Sequence, residues 1–170
     1  MPITEVSEAA RLRAGDPAAL SAVVARYQHR LYRYLTRLVR DAATADDLFQ
    51  QTWLLVVRQI HRYDPARSFD TWLFAIAHNA AMDLLRRRTG EVLDDYPAPT
   101  PDALDELIAG ERAATVAAAM ERLPGAYREA LTLRFEDGMK LEEIAAVTGA
   151  PLSTIKSRVH RGLETLRRML

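Results

Sequence analysis

Lys156, Ser157, His160 and Arg161 are spaced i, i+1, i+4 and i+5. Ile155, Val159, Leu163, Leu166 and Leu170 take the apolar positions around them at helical spacing, so a helix here turns its apolar stripe inward and its polar set outward. That outward set is rich in hydrogen-bond donors. Arg and Lys donate to guanine N7 and O6, Ser and His reach several base edges or a phosphate, and each good bidentate contact contributes about 1–3 kcal/mol of base discrimination. Ser153 and Thr154 open the same helix and belong to the DNA-facing set, with Arg158 in support; Arg158, Arg167 and Arg168 also suit phosphates. The same pattern fits a solvated basic helix in a bundle, and a DNA reader of this kind serves a repressor, a response-regulator output domain or an initiation factor equally well.

Other chemistries find little support. There is no cysteine, and His29, His61, His78 and His160 lack metal-ligand spacing. No Gly-rich phosphate loop and no nucleophile–base signature occurs, so we expect no enzyme, no metal and no cofactor. No stretch approaches the roughly 20 apolar residues of a membrane span, and Met1-Pro2-Ile3-Thr4-Glu5 is unlike a signal peptide. A cytoplasmic protein without membrane insertion is the expectation.

The donor face needs elements to hold it. Before it lies a short amphipathic helix with Leu141, Ile144 and Ala145, then Gly149, able to take the positive φ of a tight turn; residues 141–163 thus read as a helix-turn-helix. Upstream, helical breaks fall at Leu123-Pro124-Gly125 and at Asp137-Gly138, and patterning resumes from Leu107. In the first half, Asp16-Pro17 starts a long helix through Leu20, Val23, Val24, Tyr27, Leu31, Tyr34, Leu35 and Leu38. A second is expected from about Thr44, with Thr44-x-x-Asp47 resembling a capping box, through Phe49, Trp53, Val56, Val57 and Ile60. A third runs from about Asp70 through Leu73, Ile76, Ala80 and Leu84 into Arg86-Arg87-Arg88 and Thr89-Gly90. Trp53 and Trp72 are read as core residues. No β-period alternation longer than a few residues appears.

The formal net charge is zero, which is unusual for a nucleic-acid binder. It averages three unlike segments: residues 1–88 carry thirteen Arg and nine acids, residues 89–111 seven acids and no base, and residues 112–170 ten bases and seven acids. An acidic, proline-containing linker (Pro97-Ala98-Pro99-Thr100-Pro101) thus separates two basic modules. The expected fold is all-α: two small helical domains, 1–89 and 112–170, joined by the linker 90–111.

Three segments, ATADDLFQQTWLLV, RSFDTWLFAIAHNAAMDLLRRR and LEEIAAVTGAPLSTIKSRVHRGLETLRRML, resemble in order those of the extracytoplasmic-function (ECF) type of sigma-70 family sigma factors. The resemblance covers roughly residues 11–88 and 115–170, and implies a sigma domain two and a sigma domain four. It implies a non-catalytic factor whose partners are core RNA polymerase, through the β′ clamp helices and the β flap, and promoter DNA; a cognate anti-sigma factor is common in the family. Matching positions place Asp46, Asp47, Leu48, Gln51 and Thr52 against the clamp, with Gln51 standing where the family more often has an acid. They place Arg62, Tyr63, Asp64, Ser68, Phe69, Asn79 and Arg86 at the −10 element, where Tyr63 and Phe69 are candidate stacking partners for an unstacked base and Asn79 offers a donor and an acceptor. Ser153, Thr154, Lys156, Ser157, Arg158, His160 and Arg161 fall at the −35 element. Lys140 stands where the family often has Ser or Thr as an N-cap, and lysine is a poor cap.

Overall fold

Asp16 and Pro17 start the longest helix in the way their order implies. The Asp16 carboxylate accepts the Ala18 N–H at 3.0 Å, and Pro17 takes the first helical position, where an N–H has no partner to lose. The Arg11 guanidinium and the Ala18 amide hold the Asp16 carboxyl below its usual range. In the computed structural model, which describes residues 3–89 and 112–170, this helix (α2) spans Pro17–Val39. It buries Val23, Tyr27, Leu31, Tyr34, Leu35 and Leu38 on one stripe. It ends at Arg40, a non-glycine residue in the left-handed region at φ 59°, whose N–H bonds the Thr36 carbonyl.

A helix not anticipated from the sequence, α1 (Ile3–Arg13), precedes it and tucks Ala9 and Leu12 into the core; Gly15 at φ 86° makes the reversal. Helix α3 (Ala42–Gln59) starts two residues before the expected Thr44. Its cap is Asp41, which accepts from both the N–H and the hydroxyl of Thr44. Thr44 is therefore part of the first turn, buried, and in addition accepts from the Arg88 guanidinium at 2.8 Å. A 3-10 turn (Ile60–Arg62) and a loop lead into α4 (Phe69–Thr89).

The second half comprises α5 (Arg112–Arg122), α6 (Gly125–Leu131) continued by a π-helical turn (Thr132–Glu136), α7 (Leu141–Thr148) and α8 (Leu152–Met169). The breaks at Leu123-Pro124 and Asp137-Gly138 fall where expected. The acidic segment 90–111, including the resumption of helix at Leu107, lies outside the described residues. All elements among the described residues are helical, and none is long and apolar enough to cross a membrane.

Instead of keeping separate cores, the two halves share one. The main apolar cluster runs from α1, α2, α3 and α4 directly into Leu133, Met139, Ile144, Val147 and Ile155 of the second half. Helix α7 packs on α4 as well as on α8, and α6 packs on α2 as well as on α8. A smaller cluster of Ala119, Met120, Leu123, Tyr127, Leu131 and Met169 holds α5, α6 and α8 together. Each large side chain fully buried here contributes about 1.5–3 kcal/mol of transfer free energy before the entropy of ordering is subtracted.

Between α7 and α8, Gly149 sits at φ 73° and its N–H returns to the Ala145 carbonyl at 2.9 Å. The Thr148 hydroxyl donates to Ile144 O and accepts from Ala150 N–H, so the turn is braced on both sides. Lys140 supplies no acceptor to the α7 N-terminus, but Glu143 accepts the Lys140 N–H at 2.7 Å, half of a capping box. Because a side chain in the left-handed region costs about 1–2 kcal/mol, Gly149→Ala should lower the stability of the fold by about that amount and Gly149→Asn by less. Thermal unfolding of the two variants beside the parent checks the order.

Candidate nucleic-acid interface

Helix α8 rests on the rest of the second half through Ile155, Gly162, Thr165 and Met169, with Val159, Leu163 and Leu166 half-buried. The terminal residue of the expected stripe is corrected. Leu170 is 58% exposed and Met169 takes its place, because three residues beyond Leu166 lie closer to the buried meridian than four. Gly162 lies against α6 side chains: a Cβ there would stand 3.2 Å from the Leu131 side chain and 3.4 Å from Tyr127 Cβ.

The opposite face carries Ser153, Lys156, His160 and Arg161, all exposed, with Thr154, Ser157 and Arg158 half-buried beside them. His160 Nε2 lies 3.6 Å from Glu164, and Arg167 and Arg168 extend the cationic strip toward the C-terminus. Such a face offers donors at one-turn intervals on a helix whose roll is set by the Gly149 turn and the Gly162 contact.

On the first half, Asn79 projects from α4 into solvent, and Arg62, Asp64 and Arg86 are exposed. Ser68 is half-buried at the start of α4, within 3.5 Å of the Thr71 N–H. Tyr63 and Phe69 are not available as stacking partners: they are 1% and 2% exposed. Both sit in an aromatic cluster with Tyr27 and Trp72, ring centroids 5.3–5.7 Å apart. Tyr63 also donates its hydroxyl to Arg67 O at 2.8 Å, closing the 62–69 loop on itself. These two rings fix the loop from below. Trp72, expected in the core, is only half-buried and forms the cluster's outer edge.

On α3, Asp46, Asp47 and Gln51 are exposed, whereas Leu48 and Thr52 are fully buried and present nothing to a partner. The Thr52 hydroxyl donates to the Leu48 carbonyl, and Leu48 belongs to the main core. Trp53 is buried as expected, but Val57, expected on the buried stripe, is 48% exposed and Leu54 is 60% exposed. With Asp47 and Gln51 they make an acidic-to-apolar stripe along α3, the composition of a protein-binding face. The Tyr32 hydroxyl adjoins it, donating to Asp46, and the Asp46 carboxylate beside it raises the phenol above its usual value. A further apolar groove of about 240 Å³ opens on the second half, lined by Val116, Met120, Leu131, Phe135, Leu163 and Leu166, with Phe135 61% exposed.

The sequence reading missed the contact between the halves altogether. Arg30, Arg33, Arg37 and Arg40 form one edge of α2. Arg30 and Arg33 reach Asp137 at 3.3 and 3.4 Å, Arg33 and Arg37 reach Glu136 at 3.0 and 3.3 Å, and Arg37 and Arg40 reach Glu121 at 3.5 and 3.3 Å. Burial raises the Asp137 carboxyl above its usual range despite these arginines. Burial opposes the charge on Arg30, but Asp70 and then Asp137 hold its guanidinium above its usual value. Deeper in, Glu129 accepts from the Tyr34 hydroxyl at 2.6 Å and lies 2.5 Å from His78 Nδ1, all three buried. The only advance signal was the 3-4-3 spacing of the arginines, which places them on one helix face without naming a partner.

A family model described as Sigma-70 region 2 matches residues 23–91, and one described as Sigma-70, region 4 matches residues 113–166. The chain is 36% identical over 164 residues to RNA polymerase sigma factor CarQ of Myxococcus xanthus, covering 94% of each. It is 34% identical over 163 residues to ECF RNA polymerase sigma factor SigE of Mycolicibacterium smegmatis, covering 90% of this chain but spanning 63% of that protein's length. The solved structure of CnrH in complex with the cytosolic domain of CnrY superposes with a TM-score of 0.71 at 26% identity, over 95% of this chain and 94% of that one.

The burial pattern separates structural from contact roles on α3. Leu48→Ala should cost about 2–5 kcal/mol of stability through the cavity it leaves, while Asp47→Ala should leave the unfolding midpoint nearly unchanged. Denaturant unfolding of the pair measures the difference.

Proposed function

Because the chain belongs to the extracytoplasmic-function group of the sigma-70 family, we propose that it is a non-catalytic initiation factor that binds core RNA polymerase and directs it to promoters, assisting their melting. The observation that carries this reading is the set of exposed surfaces on the two halves: the donors of α8 on a helix-turn-helix, and, on the other half, Asn79 of α4 and the acidic and apolar face of α3. The first suits a major groove, the second a melted strand and a protein partner. Phosphodiester chemistry stays with the polymerase, and the factor works in the cytoplasm where that enzyme is.

In this reading the division is 1–89 for clamp and −10 binding, 90–111 as linker, and 112–170 for the −35 element. Lys156, His160 and Arg161 contact base edges, with Ser153, Thr154, Ser157 and Arg158 supporting them. Asn79, Arg62, Asp64, Ser68 and Arg86 serve the −10 element, and Tyr63 and Phe69 act only by holding the loop in shape. The clamp helices of β′ meet Asp46, Asp47 and Gln51 and, extending the expected set, Leu54 and Val57; charge steers the encounter and the apolar pair supplies area. The β flap takes the groove beside Phe135. A cognate anti-sigma factor is a further partner, supported by the family habit and by the bound state of CnrH with CnrY.

Run-off transcription with core enzyme on a genomic fragment library should yield defined starts only when the protein is added; an absence of specific starts overturns the proposal. Lys156→Ala or Arg161→Ala should cut initiation at −35-dependent promoters by about 5- to 150-fold, the loss of one bidentate base contact. Co-purification with core enzyme should be unaffected by either. Leu54→Asp should do the reverse, weakening core binding while the isolated chain keeps its affinity for duplex DNA.

A further inference from the structure

We propose that Lys156 is an acylation site, and that transfer of an acyl group to its amine from an acyl phosphate or an acyl thioester lowers −35 reading while leaving polymerase binding intact. The inference rests on the promoter-reading function above and adds a modification site to it.

The first argument is where the amines are. Of the chain's 23 basic side chains 21 are Arg, and the two lysines are Lys140 and Lys156. The two residue types are not interchangeable: a guanidinium stays protonated, whereas an ammonium becomes a nucleophilic amine once it gives up a proton. Side-chain amines are thus confined to the helix-turn-helix, since residues 1–139 contain no lysine. The exposed stripe of α3, Asn79 and the 62–69 loop lie in that stretch, and the groove beside Phe135 is lined without lysine. An acyl donor that attacks amines therefore finds the −35-reading module and leaves the other surfaces untouched.

The second argument is what surrounds each amine. Lys140 stands at the N-cap of α7 with Glu142 and Glu143 in the first turn, and Glu143 accepts its backbone N–H at 2.7 Å. Two carboxylates there repel a phosphate-bearing donor. Lys156 is exposed on α8 with His160 at i+4 and Arg161 at i+5, and His160 Nε2 lies 3.6 Å from Glu164 at i+8. Amine, imidazole and carboxylate follow one another at one-turn intervals, where neighbours stand about 5–6 Å apart at Cβ. This is the order of a nucleophile, its base and the group that orients the base. Arg161 beside them offers a guanidinium fork to the donor's phosphate.

In the step itself, His160 takes a proton from the Lys156 ammonium and the freed amine attacks the acyl carbonyl carbon. A C–N bond forms as the C–O bond to phosphate, or the C–S bond of the thioester, breaks. The phosphate or thiolate leaves with the bonding pair, and the surplus proton on nitrogen passes to water. No oxidant or reductant is needed. The product is a neutral amide with one N–H, so the charge and the paired donation to guanine N7 and O6 are both lost, and the added acyl group occupies space on the groove-facing side.

The protein is incubated with acetyl phosphate and, separately, with acetyl-CoA, and the modified positions are followed in time by peptide mass mapping. Lys156 should be acetylated faster than Lys140 by at least one donor, and the donor that works identifies the carrier. His160→Gln should slow the reaction at Lys156 by about tenfold, less than the roughly 100-fold or more of an enclosed general base because this face is open to water. The rate at Lys140 should not change in that variant. After removal of the donor, the protein is combined with untreated core enzyme. Initiation at a −35-dependent promoter should fall with the modified fraction, by about 5- to 150-fold at completion, while co-purification with core stays the same. Lys140→Arg should lose initiation on treatment as the parent does, whereas Lys156→Arg should keep after treatment whatever activity it had before. Lys156 left unmodified by both donors, or modified no faster than Lys140, overturns the site, and an unchanged rate in His160→Gln overturns the role given to the imidazole. Full modification of Lys156 without loss of initiation, or an equal loss in treated Lys156→Arg, overturns the effect on −35 reading. Mass mapping involves neither DNA nor polymerase, so it judges the site whatever becomes of the promoter-reading assignment.

Discussion

One buried carboxylate organises this molecule. Glu129 on α6 meets α2 and α4 at one point, where a single carboxylate oxygen bonds both a phenol and an imidazole. A carboxylate so placed is costly without partners and tolerable only with both, since an unpaired buried charge costs several kcal/mol. The positions of three helices are therefore linked. Moving α6 away from either neighbour leaves a buried polar group unmatched, which makes the arrangement specific even where its net stabilisation is small.

Arg128, the next residue, extends the same logic to helix ends. Its guanidinium donates to the carbonyl of Arg37 in the last turn of α2 and to those of Glu121 and Leu123 at the end of α5. Both helices leave unsatisfied carbonyls and a negative dipole end at that point, and one cation meets both. Burial, with Arg40 and Arg37 nearby, lowers its pKa to about 10, still far above neutrality, so it remains charged. The left-handed Arg40 belongs to the same junction: its strained backbone closes α2 while its side chain reaches Glu121. The end of α2 is thus built for the contact between the halves.

The donor face of α8 and the exposed stripe of α3 lie outside this junction, whereas the groove beside Phe135 borders it through Glu136. The donor face of α8 points away from Ile155 and Gly162, and the Asp47–Gln51–Leu54–Val57 stripe lies opposite Leu48 and Thr52. A helix presents one meridian to its support and the other to solvent, so each contact face is defined by the core residues behind it. This explains why removing a buried neighbour and removing a surface contact have different signatures.

The amino-acid sequence by itself determined what depends on near neighbours along the chain. Helical periodicity, the Asp16-Pro17 start, the breaks at Pro124 and Gly138, and the Gly149 turn are local effects, and all appear at or near their expected places. The donor face of α8 was legible for the same reason: Lys156, His160 and Arg161 lie between the apolar positions of one helix. Local reasoning erred where a neighbour in space competes. Thr44 yielded the cap to Asp41 and turned inward to Arg88, and Val57 left the core; Tyr63, Phe69, Leu48 and Thr52, which the family resemblance had put at contact surfaces, are in it. Only the tertiary structure decided how the halves meet. Arg30, Arg33 and Arg37 are paired with acids roughly 100 residues away, and no spacing rule connects positions so far apart. Whether a charged residue is a solvated surface group or half of a buried pair depends on what folds back over it, and that is a property of the packed chain.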